Sequence, residues 1–410
     1  MRFSSTKIFT AANYLSELPT GSSIERFSLF CSMVLIMTII STIGFGCLGA
    51  NAKDVQTKAA ARQMAQANLL FPVVKDRKYG YIDQSGKLRI SCQFVMASPF
   101  QEGLAMVINH GKLWYIGNSG KQAIPNQFMA LSQAGENSLF SEGLAVLYSD
   151  KKCGFIDKTG KFVIAPTFNG AFPFSEGLSV IIEDRKFGYI DKSGKTILKP
   201  QFHLAYSFHE GLAVIRAPGT GIYKKNYWAG YIDKAGKIVI PPKFYNAEDF
   251  SEGLAAVSQV DSLDNQGVGK NKKWGYIDKT GKYVISPQFS FAGKFSEGLA
   301  PVALNGKWGF IDKAGKFVIA AQFKEAKPFS QGLAAVILSS GDKEQGMKSA
   351  EHGLFGFIDH SGKMVIKPQF KYVKGFKDGL CQVTVGPDWT NRYKSGYINL
   401  AGQYVWAPSN

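Results

Sequence analysis

Apolar residues recur along this chain in three short runs per repeat. In the copy near residue 310 the runs are Trp308–Asp312, Phe317–Ala320 and Leu333–Leu338. Runs of this length, rich in β-branched and aromatic residues and separated by Gly turns, are typical of β-strands. In the tightest copies 34 residues separate equivalent positions, as between Gly275 and Gly309. A period in this range predicts a solenoid, a propeller or another tandem array.

A four-residue turn joins the first and second runs of each repeat, as in Asp312-Lys313-Ala314-Gly315. The Asp side chain accepts bonds from backbone N–H groups, and the Gly adopts the left-handed conformation that other residues resist. We therefore predict a structural role for these residues. Seven copies keep both: Asp83 with Gly86, Asp157 with Gly160, Asp191 with Gly194, Asp233 with Gly236, Asp278 with Gly281, Asp312 with Gly315, and Asp359 with Gly362.

The segment between the second and third runs follows a different rule. A Phe is followed by Ala three residues later and by a second Phe three residues after that, as in Phe289-Ala292-Phe295. A period of three predicts a single 3₁₀-like turn or a tight corner. A Ser-Glu-Gly turn then leads into the third run.

Counting the runs predicts an all-β fold, a tandem array of nine three-stranded repeats. The array opens with Leu69–Val74, a third run, and closes with Gly396–Trp406, a first and a second. We expect a repeat domain over residues 69–407 after a linker at 53–68. An open, twisted, solenoid-like array is favoured over the alternative, a closed propeller-like ring, because the repeat is short for a propeller blade and nine blades exceed the usual four to eight.

The repeated phrases carry a family resemblance. KWGYIDKTGKYVISPQF and KWGFIDKAGKFVIAAQF, together with the turn phrase FSEGLA, closely resemble the WG-repeat (KWG-repeat) proteins of bacteria. Only Trp274-Gly275 and Trp308-Gly309 keep the literal pair, and the resemblance covers roughly residues 69–406. It implies an all-β repeat protein that is often exported and has no common enzymatic activity.

The N-terminal region has a composition of its own. No charged residue occurs from Phe27 to Asn51, and Ala50-Asn51-Ala52 offers a cleavage site of the A-x-A type. Residues 1–52, with an apolar core at 27–46, are therefore predicted to be a signal peptide or a membrane anchor. We expect an extracytoplasmic protein that is secreted, periplasmic or anchored to a membrane.

The net charge is +17, and almost all of it lies in the repeat region. A basic surface favours anionic partners, although a lysine-rich exterior also serves solubility. One lysine row follows the turn Gly in eight of the nine repeats and could form a ridge along an anionic polymer, or it could only protect exposed edges. We expect a protein or an anionic polysaccharide as the partner, and no nucleic acid if the chain is exported.

No residue pattern points to catalysis. The recurrent Asp has a Lys neighbour and no further carboxylate in its turn, which favours turn capping over calcium binding. The recurrent Glu lies in a turn, no two of the five His share metal-ligand spacing, and Cys92, Cys153 and Cys381 are irregularly spaced. We expect neither an enzyme nor a metal or other cofactor, and a hydrolase with a site between repeats is the least favoured function.

Four insertions predict a binding surface. They span Gly219–Tyr227, Asp261–Lys272, Ser340–Glu351 and Pro387–Lys394. Each falls between a third run and the following first run, so all four should emerge at one end of the array. Their aromatic and basic side chains suit a protein partner of a scaffold or adhesion protein or, alternatively, a cell-envelope glycan. The predicted contacts are Tyr223, Lys225, Tyr227, Trp228, Trp389, Arg392 and Tyr393.

Overall fold

The computed structural model describes residues 69–125, 128–129, 138–218, 227–264, 268–339, 353–386 and 393–409. These residues belong to one compact unit, Ala65–Asn410. They form β-strands and no α-helix, as the sequence predicts. Within them, no helix has the length and apolar character needed to cross a membrane.

Nine antiparallel sheets of three or four strands follow one another along the described chain, and we call them blades 1 to 9. A full blade contains four strands, a to d, in chain order. Strands b, c and d are the third, first and second runs of the sequence, and strand a has only two residues. Strand b spans Phe71–Lys75, Ala105–Asn109, Ala145–Ser149, Leu178–Glu183, Leu212–Pro218, Ala255–Gln259, Ala300–Leu304, Ala334–Ile337 and Leu380–Val385 in blades 1 to 9.

The other strands have the following bounds. Strand c spans Lys78–Ile82, Lys112–Ile116, Lys152–Ile156, Lys186–Asp191, Tyr227–Asp233, Lys273–Ile277, Lys307–Ile311, Phe355–Ile358 and Lys394–Asn399. Strand d spans Leu88–Phe94, Phe128–Met129, Phe162–Phe168, Thr196–Phe202, Ile238–Phe244, Tyr283–Phe289, Phe317–Phe323, Met364–Phe370 and Tyr404–Ser409. Strand a is described in blades 2 and 4 to 9, at Met96–Ala97, Gly170–Ala171, Leu204–Ala205, Asn246–Ala247, Phe291–Ala292, Glu325–Ala326 and Tyr372–Val373.

Strand a corrects the predicted 3₁₀-like corner and adds a fourth strand to the predicted three. In blade 4 the amides of Asn169 and Phe172 donate to the carbonyls of Ile182 and Val180, both at 3.0 Å. Ala171 pairs with Ile181, and its side chain is buried. The period of three therefore arises from a short strand between two bends. The segment carries the chain from strand d of one blade to strand b of the next.

The glycine of the Trp-Gly pair is required by a bulge in strand d. Strand d carries extra residues opposite strand c, and the register shifts on both sides of the Phe310–Ile319 pair. A Cβ atom added at Gly309 would lie 2.6 Å from the carbonyl oxygen of Ile319, too close for any side chain. Glycine at this position thus permits the bulge that brings strand d against strand c.

The nine blades close into a ring, so the expectation of an open array is wrong and its alternative is correct. Gly315 in the c–d turn of blade 7 lies against Ile285 of blade 6, and Gly86 of blade 1 lies in the same way against Val405 of blade 9. The Tyr397 hydroxyl of blade 9 donates to the carbonyl of Pro72 in blade 1 at 3.0 Å. An open array would expose the apolar faces of two terminal repeats, whereas a ring covers them with each other.

The ring has two distinct ends. Leu178 at the start of strand b pairs with Asp191 at the end of strand c, so the Ser-Glu-Gly turn and the c–d turn lie together. We call this end the turn face. The b–c connections lie at the opposite end of the strands, which we call the loop face. Of the four insertions, the one at Asp261–Lys272 is largely described there, and the other three fall wholly or mostly outside the described residues.

Candidate functional site

Glutamates on the turn face join neighbouring blades. The Glu176 carboxylate of blade 4 accepts a hydrogen bond from the Gly211 amide of blade 5 at 3.0 Å. It also forms an ion pair with Lys234, another residue of blade 5, at 3.0 Å. Six junctions repeat the arrangement, which we call the Glu–Lys ladder. Its pairs are Glu102–Lys158, Glu142–Lys192, Glu176–Lys234, Glu210–Lys279, Glu252–Lys313 and, with a histidine, Glu297–His360.

The ladder affects the titration of its carboxylates. Burial by itself raises the pKa of Glu176, but the bonds from Lys234 and the Gly211 amide outweigh it and leave the pKa lowered. Glu176 also has a φ of 53°, a left-handed conformation in which a non-glycine residue is uncommon. A precise position for the carboxylate is therefore maintained at some local cost. Sequence reasoning missed this pairing, although Glu and Lys recur at equivalent positions of successive repeats.

The c–d turns have the geometry that the pattern predicts. In blade 7 the Asp312 Oδ1 atom accepts bonds from the amides of Ala314 and Lys316, at 3.0 and 2.9 Å, and Gly315 has a φ of 83°. In the turns that contain Ser or Thr, a hydroxyl bond to the Asp carboxylate is the main reason that its pKa is lowered, as at Asp278. The carboxylates serve the turns, and the lysines after the turn glycines stay exposed.

One insertion on the loop face folds as a β-hairpin, with strands Ser262–Leu263 and Gly269–Lys270. The Gly269 amide donates to the Tyr245 hydroxyl at 3.1 Å, and the Tyr245 ring packs edge-on against Trp228 at 6.1 Å. Trp228 is only 5% exposed. The prediction that Trp228 contacts a ligand is therefore corrected. Its ring is buried and packs against Tyr245, which in turn binds the hairpin.

The other predicted contacts have different fates. Tyr223, Lys225, Trp389 and Arg392 lie outside the described residues, and the backbone of Tyr227 lies in strand c of blade 5. Tyr393 is 48% exposed and packs edge-on against Tyr372 at 5.8 Å, while Tyr372 itself is 56% exposed. The structure thus brings Tyr393 next to an aromatic residue that the sequence did not single out.

A second exposed aromatic on the loop face was also missed. Phe291 is 42% exposed and lies between Trp274 and Trp308, with ring centroids 5.5 and 5.1 Å away. The Lys272 ammonium lies 5.8 Å from the Trp274 ring. Phe291 and Tyr372 both begin a strand a. The alternation of a two-residue strand, exposed then buried, would have revealed them had the segment been recognised as a strand.

The titratable groups of the described residues do not assemble into a metal site, since no cluster of three or more His, Cys, Asp or Glu occurs among them. Cys153 and Cys381 are buried in different blades, where burial raises the pKa of both thiols, to about 11 for Cys153. Their environment is that of small apolar side chains in a core.

Comparison with solved structures finds matches at low sequence identity. A crystal structure of a eukaryotic initiation factor matches with a TM-score of 0.56 and 10% identity, over 82% of this chain and 94% of that one. The β-propeller domain of the Trilobed protease from Pyrococcus furiosus matches with a TM-score of 0.36 and 11% identity, over 83% and 99%. At such identities the match to the initiation factor shows a similar fold and nothing more. The described residues of this chain form nine small sheets in a ring that resembles a nine-bladed β-propeller.

The sequence itself is more specific. A search among curated proteins finds no similar sequence. The model of the WG containing repeat matches seven segments that together cover more than half of the chain, at residues 79–112, 154–186, 187–217, 230–261, 274–308, 308–338 and 355–386. The chain therefore belongs to the family of WG containing repeat proteins.

Proposed function

We propose that this protein is an exported, non-enzymatic repeat scaffold that binds another protein through its loop face. The observation that supports this most directly is the difference between the two ends of the ring. On the turn face six glutamates are paired with basic residues of the next blade. The described part of the loop face has the hairpin insertion and two exposed aromatic sites.

The charge of the loop face supports the same proposal. Its described b–c connections, taken together with the strand residues that flank them, contain more Lys and Arg than Asp and Glu. Exposed residues there include Arg77, Lys112, Lys151, Lys272 and Lys307. An aromatic and basic surface with few paired charges suits a partner that offers carboxylates and apolar side chains. Raising the salt concentration should weaken such a complex.

Cross-linking in an extract of the source organism would test the choice of face. The full chain would be treated with a lysine-reactive cross-linker, and the linked positions identified by mass spectrometry. We expect partner links from Lys272 and Lys307 on the loop face. Lys161 and Lys195, which are also exposed but lie on the turn face, are the matched controls. Partner links mainly from the control lysines would contradict the proposal.

Binding of an acidic glycan is the second candidate, and the Tyr372–Tyr393 pair favours it. Two half-exposed rings at 5.8 Å could stack on sugar rings. The double variant Tyr372→Ala/Tyr393→Ala should then lose glycan retention while keeping the β circular-dichroism spectrum. If the same variant loses only a protein partner, the first candidate stands.

Export is the part of the proposal that depends on residues 1–52. The uncharged stretch before Lys53 and the Ala50-Asn51-Ala52 sequence support it. Mass spectrometry of the mature protein should find an N-terminus at Lys53 if the segment is cleaved as a signal peptide. An intact N-terminus in a membrane fraction would instead indicate an anchor, and an intact N-terminus in the cytoplasm would contradict export.

A further inference from the structure

The fold requires the glycine of the Trp-Gly pair, but it does not require the tryptophan. Gly309 permits the bulge in strand d, where any side chain would clash. The position before this glycine holds Cys153, Ala229 and Ser395 in blades 3, 5 and 9. Each of these residues pairs with strand b in the same register as Trp308 in blade 7. The ring therefore forms without a large side chain at this position.

Tryptophan occupies this position in two consecutive blades, as Trp274 in blade 6 and Trp308 in blade 7. The Phe291 ring lies between them, with centroids 5.5 and 5.1 Å away. Trp274 is only 3% exposed, and its buried Nε1 atom has no hydrogen-bond partner among the described residues. A buried donor without a partner costs stability, and a phenyl ring at the same place would avoid that cost. The packing of the blades thus does not explain the choice of tryptophan.

The cluster combines one exposed ring with unpaired positive charge. Phe291 is 42% exposed on the loop face, whereas the two tryptophan rings that hold it are buried or half-buried. The Lys272 ammonium lies 5.8 Å from the Trp274 ring, and Lys307 directly precedes Trp308. Both lysines are exposed, and neither forms an ion pair with a described carboxylate. The result is an apolar contact point with basic residues beside it.

We propose that this cluster binds a short acidic segment of the partner protein, an inference that rests on the proposed function of the loop face. One large apolar side chain of the segment packs on the Phe291 ring, and its carboxylates pair with Lys272 and Lys307. Charge complementarity identifies the segment as acidic. An apolar centre with a polar rim is the usual arrangement of an interface. Because only one ring is substantially exposed, a single apolar side chain fits better than a row of stacked sugar rings.

A fluorescent peptide of sequence GDEFEDG carries the proposed chemistry and serves as the probe. By fluorescence anisotropy with the full chain we expect a Kd on the order of 100 μM. The peptide GDEAEDG lacks the apolar side chain, and GKKFKKG has the opposite charge, so each should bind about tenfold more weakly. Failure of GDEFEDG to bind, or equal binding by all three peptides, would overturn the proposal. An oligogalacturonide that bound at Phe291 in place of the peptide would assign the site to a glycan and would overturn it as well.

Matched variants of the protein locate the site. Phe291→Ala should weaken binding of GDEFEDG about tenfold. Met96 has the same position in strand a of blade 2 and is 46% exposed, but Leu113 stands there in place of the tryptophan. Met96→Ala should therefore leave binding unchanged, and equal effects of the two variants would refute the location. Trp308→Ala copies the residue of blade 5, so it should keep the β circular-dichroism spectrum and still weaken binding. Unchanged binding by a folded Trp308→Ala variant would also refute the proposal.

The cross-linking experiment separates this inference from the proposed function. Partner links from Lys272 and Lys307 without any binding of GDEFEDG would overturn this inference alone. Partner links mainly from the turn-face lysines would overturn the proposed function. In that case the peptide assay on Phe291→Ala would still decide whether the cluster takes an acidic segment.

Discussion

We number each junction by the two blades that it joins. The six junctions from 2/3 to 7/8 differ from junctions 8/9 and 9/1, which lie near the ends of the repeat array. In the first group, a carboxylate accepts from the glycine amide of the next blade and pairs with a basic side chain. At junction 8/9 the Gln331 Oε1 atom accepts from the Gly379 amide at 2.9 Å, and no charge is involved. At junction 9/1 the Gln84 amide donates to the carbonyl of Asp378 at 2.6 Å. We call the two groups the charged arc and the neutral arc.

The comparison separates what the ring needs from what it tolerates. At both 4/5 and 8/9 a side-chain oxygen accepts from the backbone amide of the next blade. The acceptor is a charged carboxylate in the charged arc and an uncharged amide oxygen at junction 8/9. The side chains of the Glu–Lys ladder are partly exposed, as at Glu176 and Lys234. Exposed ion pairs of this kind contribute between zero and about 1 kcal/mol. Packing between blades must therefore provide most of the stability. The ladder helps to fix the alignment of each blade with the next.

The largest effect should come from removing a junction phenylalanine in the charged arc. Phe295 is fully buried against Tyr276, with centroids 4.9 Å apart. Phe295→Ala should lower the free energy of unfolding by about 3–5 kcal/mol, because it removes buried apolar area and leaves a cavity. Denaturant titration followed by circular dichroism would measure it. Unchanged stability would mean that junction packing is not the main source of stability.

The next effect probes the closure itself. A Cβ atom at Gly86 would lie 2.1 Å from the backbone carbonyl oxygen of Val405, so Gly86→Ala should force blades 1 and 9 apart. Gly298 has a similar φ of 82° but no atom within 4 Å of an added Cβ. Gly298→Ala should therefore show only the backbone cost, about 1–2 kcal/mol. We expect Gly86→Ala to cost more than this, with faster hydrogen exchange confined to blades 1 and 9. Equal costs would argue against a tight closure.

Most of the fold could be predicted from the sequence, because the strands and turns are determined locally. The Asp312 turn and the runs around Trp308 depend on residues that are close neighbours in the chain. Ring closure could not be predicted, since it depends on contacts such as Tyr397 with Pro72, which are 325 positions apart. Short-range patterns contain no information on the accumulated rotation between blades.

The candidate site was predicted less well, for two physical reasons. Trp228 follows an insertion in the sequence, which suggests an exposed side chain. Its burial depends on Tyr245 and on the hairpin at Gly269, which are distant in sequence. Phe291 is an apolar residue of the kind usually found in a core. As the first residue of strand a, however, its side chain is exposed. In both cases exposure is set by tertiary contacts that the hydrophobic pattern does not specify.

A smaller effect distinguishes the amide bond from the charge. Gln331→Ala removes the acceptor for the Gly379 amide in the neutral arc. We expect a loss of about 1 kcal/mol, the ordinary net value of one hydrogen bond. Glu176→Gln keeps an acceptor for the Gly211 amide and removes only the charge, so its cost should be about 0.5 kcal/mol or less. The free energies of unfolding at neutral pH would compare the two, and the reverse order would show that charge matters more than the bond.

The smallest effect is a pH dependence of the charged arc. Because the pKa of Glu176 is lowered in the folded protein, its carboxylate stabilises the fold fully above the ordinary carboxyl value of 4.5. That contribution is lost as the pH falls below 4.5 and through the lowered pKa of the folded state. The difference in stability between the parent protein and Glu176→Gln should therefore vanish at low pH and shrink in high salt. Gln331→Ala has no titrating group, so its difference from the parent should stay constant over the same range. Denaturant titrations of all three proteins in parallel would measure both differences, and a pH-dependent cost at Gln331 would show that acid weakens the ring through groups other than the ladder.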